Sequence, residues 1–210
     1  MSRNVLITGA TGGLGAAVVA AFRDSGDTVS AVSHPGYDLT QPADAARAVA
    51  DAGQPLHALI HLVGGFAGGR SVAETDDATW RRMMSLNLDA AFYMTRAAVP
   101  VLLTQPGSRI VLVGSRNAVD PSAHLAAYNA SKAGLVALGR TLALEVAARA
   151  ATCNMVLPSV IDTPANRAAM PKADPSRWVQ PASIAALIHW LASPLAADVN
   201  GAVIPIYGHA

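Results

Sequence analysis

The segment Thr8-Gly9-Ala10-Thr11-Gly12-Gly13-Leu14-Gly15 directly follows an apolar run, Asn4-Val5-Leu6-Ile7, and opens a stretch of helical periodicity. A strand that turns through glycines into a helix brings unpaired helix amides to one point, where an anion such as a pyrophosphate can sit. Each glycine has its own task. Gly9 permits the tight turn, Gly13 lets the backbone approach a phosphate, and Gly15 allows the helix to pack closely on the strand. Thr11, Gly12 and Leu14 share the turn and are candidate nucleotide contacts with them.

The rest of the chain repeats this alternation of short apolar runs and longer helical segments, the pattern of a parallel sheet covered by helices. Strands are expected near Val5 to Ile7, Thr28 to Val32, His57 to Val63, Arg109 to Val113, Thr152 to Leu157 and Ala202 to Pro205. Helices are expected over Gly13 to Asp24, Ala43 to Ala52, Asp76 to Leu103, Leu125 to Arg149 and Pro181 to Ala192, with Asn87 breaking the third into two helices that meet at an angle. The predicted fold is a single α/β domain over residues 1–210, a doubly wound, Rossmann-like parallel sheet. Its second crossover is short. Only Ser33-His34-Pro35-Gly36-Tyr37 separate the second strand from Asp38-Leu39-Thr40, too few residues for a crossover helix, so a third strand at that edge would be minimal.

At 210 residues, 52% apolar and 14% charged, the chain can bury a substantial core. A net charge of +1 without a basic run gives no footprint for nucleic acid. No apolar run is long enough to span a membrane and no leader precedes the first strand, so a cytoplasmic location is expected. The lone cysteine, Cys153, lies in an apolar stretch and is expected to be a small buried hydrophobe. The six histidines show neither i, i+4 pairing nor acidic partners at zinc spacing, so no metal site is expected and structural roles are assigned to them.

Chemistry enters with Tyr128 and Lys132, in Ala127-Tyr128-Asn129-Ala130-Ser131-Lys132. A spacing of four on a helix puts both on one face. A phenol has a pKa of about 10, and a nearby ammonium stabilises its anion, so the pair reads as a proton-transfer site. Ser115, in Val113-Gly114-Ser115-Arg116-Asn117, does not lie in the Gly-x-Ser-x-Gly turn of an acyl hydrolase.

The glycine turn, Asn87 in Leu86-Asn87-Leu88, and Ser115, Tyr128 and Lys132 fall in an order that resembles the short-chain dehydrogenase/reductase family over nearly the whole chain. The resemblance implies NAD(P)-dependent hydride transfer to or from a small carbonyl or alcohol. It makes Tyr128 the acid or base at the substrate oxygen, with Ser115 hydrogen-bonded to the same oxygen. Lys132 would lower the phenol's pKa and bind the nicotinamide ribose, and Asn87 would hold a water that links Lys132 to solvent. Further implied cofactor contacts are Asp38 and Leu39 at the adenine, Gly64 and Gly65 beside the ribose, and Pro158, Val160, Ile161 and Thr163 at the nicotinamide. Ser159 stands where glycine is usual.

Where the family shows Asn-Asn-Ala-Gly, this chain has His61-Leu62-Val63-Gly64-Gly65, and the asparagine that ties strands together is missing. That segment, Phe66-Ala67-Gly68-Gly69 and the stretch from Leu157 to Trp178 are similar to the dihydropteridine reductase branch, which makes such a reductase the alternative. That branch typically lacks the catalytic serine, which is present here as Ser115. A second alternative, a silent NAD(P)-sensing protein, is disfavoured by the complete catalytic set. Ser33 carries no carboxylate to repel a 2′-phosphate, which favours NADP slightly and leaves NAD open. Residues 164–181 would form a substrate lid, with Phe66, Met170 and Trp178 either walling an apolar pocket or simply packing. Trp80 and Trp190 are assigned to element interfaces. The alanine-rich helices from Leu88 to Leu103 and from Leu125 to Arg149 suggest a homodimer or homotetramer.

Overall fold

The computed structural model describes residues 2–209. Its six strands are β1 (Asn4–Thr8), β2 (Thr28–Val32), β3 (Leu56–His61), β4 (Arg109–Val113), β5 (Thr152–Pro158) and β6 (Val203–Ile206). All pair in parallel, in the order β2-β1-β3-β4-β5-β6. Helices cover both faces, which is why the strands read as near-continuous apolar runs. Leu6, Leu59 and Leu112 point to one face, against α2 (Pro42–Ala50), α4 (Ala90–Leu102) and α5 (Ala126–Val146). Ile7, Ile60 and Val111 point to the other, against α1 (Gly15–Asp24) and α7 (Pro181–Leu191). Each such fully buried side chain contributes about 1.5–3 kcal/mol. The strand order reverses beside β1, so a crevice opens beyond the carboxyl ends of β1 and β3.

The long third helical segment is two α-helices parted at Asn87, as expected. α3 (Asp77–Met84) passes into α4 through a π-helical turn over Ser85–Asp89. The wider turn lets Asn87, fully buried, face the sheet edge.

Among the described residues no strand lies between β2 and α2, so β2 is the edge of the sheet. Residues 33–37 close in a turn in which the Tyr37 amide donates to the Ser33 carbonyl. Leu39 is buried beside Val32 and Ala45, a core side chain rather than a cofactor-facing one. The Asp38 carboxylate accepts from the Thr40 amide and hydroxyl.

Cys153 is fully buried and burial pushes its thiol up to about 12, so it stays a neutral apolar side chain. Trp80 and Trp190 are 44% and 41% exposed, so neither is the interface filler expected from its helical position. Among the described residues no helix is long and apolar enough to cross a membrane, and no group of three or more His, Cys, Asp or Glu could hold a metal.

Candidate active site

Four loops meet at the carboxyl edge of the sheet, following β1, β3, β4 and β5. In the first, Gly9 has φ +71°, a conformation that favours glycine, and the Gly12 and Gly15 amides donate to the Gly9 and Gly12 carbonyls. The helix starts at Gly15, two residues later than expected, because Gly12 to Leu14 are used in the turn. A side chain on Gly15 would run into the Gly9 and Ala10 carbonyls, so helix and strand meet as closely as backbone allows. No side chain caps α1, and Thr11, Gly12 and Gly13 are exposed at its N-terminal end. Opposite, the Thr163 methyl lies 2.6 Å from where a Gly13 Cβ would sit. The turn and the loop after β5 are therefore in direct contact.

Tyr128 and Lys132 stand one turn apart near the start of α5. The Lys132 Nζ donates to the Val113 carbonyl at 3.3 Å, its one protein acceptor among the described residues. Burial draws its pKa down to about 8, so at neutral pH the ammonium persists, weakly held. Burial also raises the Tyr128 phenol above its ordinary value, and the nearby Ser115 hydroxyl acts in the opposite direction without reversing it. The expected lowering by Lys132 is not seen. The ammonium is turned to a carbonyl at the end of β4, and desolvation decides the phenol. The Phe66 ring packs edge-on against Tyr128 with centroids 5.0 Å apart, itself 64% exposed.

Asn87 is clamped. Its Oδ1 accepts from the Gly65 amide at 2.9 Å, and its Nδ2 donates to the Gly65 carbonyl at 3.1 Å and to Ser131 Oγ at 3.0 Å. Gly64 lies over this cluster. A Cβ there would be 2.7 Å from Asn87 Oδ1 and 3.0 Å from Lys132 Nζ, so these two atoms are no more than 5.7 Å apart. Ser115, 7% exposed, follows β4 and accepts the Asn117 amide at 3.2 Å.

The family model described as Enoyl-(Acyl carrier protein) reductase matches residues 4–208. The chain belongs to the short-chain dehydrogenase/reductase family. Members of this family are NAD(P)-dependent oxidoreductases. A galactitol 2-dehydrogenase from Rhizobium johnstonii is 33% identical, the match covering 91% of this chain and 84% of that protein. A cyclic-di-GMP-binding biofilm dispersal mediator protein from Escherichia coli is 32% identical over 98% of this chain and 96% of its own length. The ligand-free aldohexose dehydrogenase of Thermoplasma acidophilum superposes with a TM-score of 0.88 at 26% identity, covering 99% of this chain and 94% of that one.

Against the family pattern, the strand tie expected to be lost is rebuilt. His61 pairs with Thr8 across β1 and β3, Nδ1 and Oγ1 3.0 Å apart, and Thr8 Oγ1 also accepts the Leu62 amide at 3.2 Å. A histidine thus does what the family's asparagine does, which sequence alone did not reveal because the pairing depends on strand register. Arg47 was also missed. From α2 it donates to the Gly36 carbonyl at 2.8 Å and lies 4.2 Å over the Tyr37 ring, which brings a guanidinium, ion-paired with Asp44, to the loop after β2.

The loop after β5 leads into the expected lid. Ser159 Oγ donates to the Tyr207 carbonyl at 2.7 Å, a bond that glycine could not make. Thr163 caps the short helix α6 (Pro164–Ala169) by accepting the Asn166 amide. Trp178 is only 7% exposed, because Val179 pairs with Ile161: its amide donates to the Val160 carbonyl and its carbonyl accepts the Asp162 amide. Trp178 is therefore a buried packing residue, whereas Phe66 stands against Tyr128 and Met170 is partly exposed.

Asp162 latches this segment. The Arg167 guanidinium, at 2.6 and 2.8 Å, and Gln180 hold its carboxyl down to about 2. A folded pKa below the unfolded value of about 3.9 means the latch contributes fully above about pH 4 and is lost as pH falls toward 2. Limited proteolysis within residues 164–181 should accelerate across that window. In Arg167→Ala the same cuts should be faster already at neutral pH, whereas equal rates in both proteins would show that the ion pair holds nothing.

Proposed function

We propose that this chain transfers a hydride between NAD(P) and a small carbonyl or alcohol, with Tyr128 exchanging the proton at the substrate oxygen. The observation that carries this reading is the gathering of Ser115, Tyr128 and Lys132 with an uncapped helix N-terminus at one edge of a parallel sheet. The residues present fit a dinucleotide. The turn formed by Gly9, Thr11, Gly12, Gly13, Leu14 and Gly15 would receive the diphosphate on backbone amides at the uncapped start of α1. Ser33, Asp38 and the Leu39 backbone would meet the adenosine. Gly64 and Gly65 would floor the ribose beside Lys132, and Pro158, Val160, Ile161 and Thr163 would border the nicotinamide. The bound nicotinamide supplies or accepts the hydride.

The rest of the chemistry belongs to the protein. Burial keeps the Tyr128 phenol protonated at neutral pH, which prepares it to donate as negative charge grows on a carbonyl oxygen. The Ser115 hydroxyl gives the same oxygen a second donor. Asn87 holds Gly65 and Ser131 in place and so keeps the wall around Lys132 rigid. Residues 164–181 act as the lid over the substrate, and Phe66 covers the phenol.

The two named dehydrogenase relatives act, by their names, on galactitol and on aldohexoses, which supports a small polar carbonyl over a pterin. NADP is favoured because Ser33 presents no carboxylate and Arg47 brings a cation to the neighbouring loop. The exposed Phe92 on α4 and Leu144 on α5 support a homodimer or homotetramer built on those helices.

Turnover of NADPH and NADH, measured side by side with sugars, short ketones and a quinonoid pterin, tests the reading. NADPH-dependent reduction of a sugar or ketone is expected. A strong NADH preference would overturn the cofactor assignment, activity with the pterin alone would favour the dihydropteridine alternative, and tight cofactor binding without any turnover would point to a sensor.

A further inference from the structure

His61 is completely buried at the carboxyl end of β3, and only one edge of its ring is used. Nδ1 meets Thr8 Oγ1 at 3.0 Å, while Nε2 has no hydrogen-bond partner in the protein. A buried imidazole nitrogen left unpaired is costly, so a structure that retains one has a use for it or a water beside it. Thr8 decides which proton it carries. Its oxygen already accepts the Leu62 amide, so its own hydrogen is best given to Nδ1, which leaves the ring proton on Nε2. Neutrality is secure, because burial first and the Lys132 charge second hold the imidazole down to about 3.

Lys132 is on the same side of the sheet. Thr8, His61 and Leu112 are in register across β1, β3 and β4, and Lys132 Nζ donates to the carbonyl of Val113, the residue after Leu112. An ammonium has three protons to place. This one is 5% exposed and has a single protein acceptor, at the long distance of 3.3 Å.

We propose that His61 is a positioning residue for Lys132: its Nε2–H holds one buried water whose oxygen accepts from Lys132 Nζ, giving the ammonium its second acceptor. The proposal rests on the oxidoreductase reading for its use but not for its test. Around this point the ionisable groups are His61 itself and, from α5, Tyr128 and Lys132. β1 contributes Thr8, β4 contributes Leu112 and Val113, and the π turn contributes Asn87, none of which titrates. With the water in place the ammonium is better solvated, stays charged higher on the pH scale, and keeps one direction. A bonded, oriented cation one helical turn from Tyr128 keeps a fixed charge at the site where the proton is exchanged.

Two substitutions separate the two edges of the ring. An asparagine amide falls near the Nδ1 position, so His61→Asn keeps the Thr8 tie and deletes the outer donor. A glutamine amide reaches the Nε2 position, so His61→Gln keeps that donor and weakens the tie. The readout is the titration of Lys132 in protein with ¹³Cε-labelled lysine, assigned with Lys132→Arg, which needs no substrate. In His61→Asn the Lys132 pKa is expected to fall by about half a unit or more with thermal stability nearly unchanged. In His61→Gln the pKa should stay near that of the unmodified protein while the melting temperature drops. An unchanged Lys132 titration in His61→Asn, or equal shifts in both variants, would refute the proposal. So would a ¹⁵N spectrum of the unmodified protein that places the ring proton of His61 on Nδ1. Failure of the enzyme reading would instead appear as absent turnover with these titrations intact.

Discussion

Replacing Tyr128 by Phe should lower turnover by about 10²–10⁴-fold and leave dinucleotide affinity within a few-fold of the parent. The ring is retained, so its edge contact with Phe66 and its place on α5 survive, and only the hydroxyl is lost. That hydroxyl is the group burial keeps protonated and the one assigned to the substrate oxygen. Ser115, with an ordinary alcohol pKa, can donate a hydrogen bond but cannot give up its proton at neutral pH. The comparison is made by single-turnover kinetics together with cofactor titration. If affinity falls as far as turnover does, Tyr128 is a wall of the cofactor groove and the proton resides elsewhere.

Gly15→Ala is expected to be the most disruptive single-methyl change in the glycine turn. The added carbon would meet the backbone of Gly9 and Ala10, and backbone cannot rotate away as a side chain end can. Overpacking of this kind costs about 1–3 kcal/mol, and for a chain of this size each kcal/mol lowers the melting temperature by about 2–4 °C. Because relief requires α1 to move off β1, the amides at its start move too, and dinucleotide affinity should fall together with stability. Gly12→Ala is the control. Its Cβ would be 3.3 Å from the Gly9 carbonyl, and Gly12 is exposed, so a small adjustment accommodates it. Calorimetry and cofactor titration of the two variants check the contrast. A Gly15→Ala protein as stable as Gly12→Ala would mean that helix and strand are less closely seated than they are here.

The framework was legible in sequence because its signals are local. All six strands fall within two residues of their expected ends, since a parallel strand covered on both faces must be apolar along its length. The pairing of Tyr128 with Lys132 needed only helical spacing, and the task of Gly15 only the setting between strand and helix. What escaped was set by contacts between distant segments. The π turn that carries Asn87 offers no pattern of its own, because its extra residue is stabilised by the bonds Asn87 makes to Gly65 and Ser131. His61 gave no motif, and its role depends on β1 and β3 lying in one register. Sequence offers Trp178 as pocket wall or packing residue alike, and its burial beside the Val179–Ile161 bridge comes from a pairing between distant segments. The phenol's pKa is expected to follow a nearby cation, whereas desolvation raises it and the Ser115 hydroxyl only partly opposes that.

The bare rim at β2 has a consequence beyond this molecule's own groove. Among the described residues no strand lies beyond it, so a five-residue strand is left with one edge unpaired in the sheet, which is the geometry by which sheets of separate molecules fuse. Brevity and the turn that follows Val32 are its safeguards: fewer than half a dozen ladder bonds are too few to hold a foreign strand. Any lengthening of β2 by engineering would weaken that safeguard, so redesign at this edge belongs in the Ser33–Tyr37 turn and not in the strand.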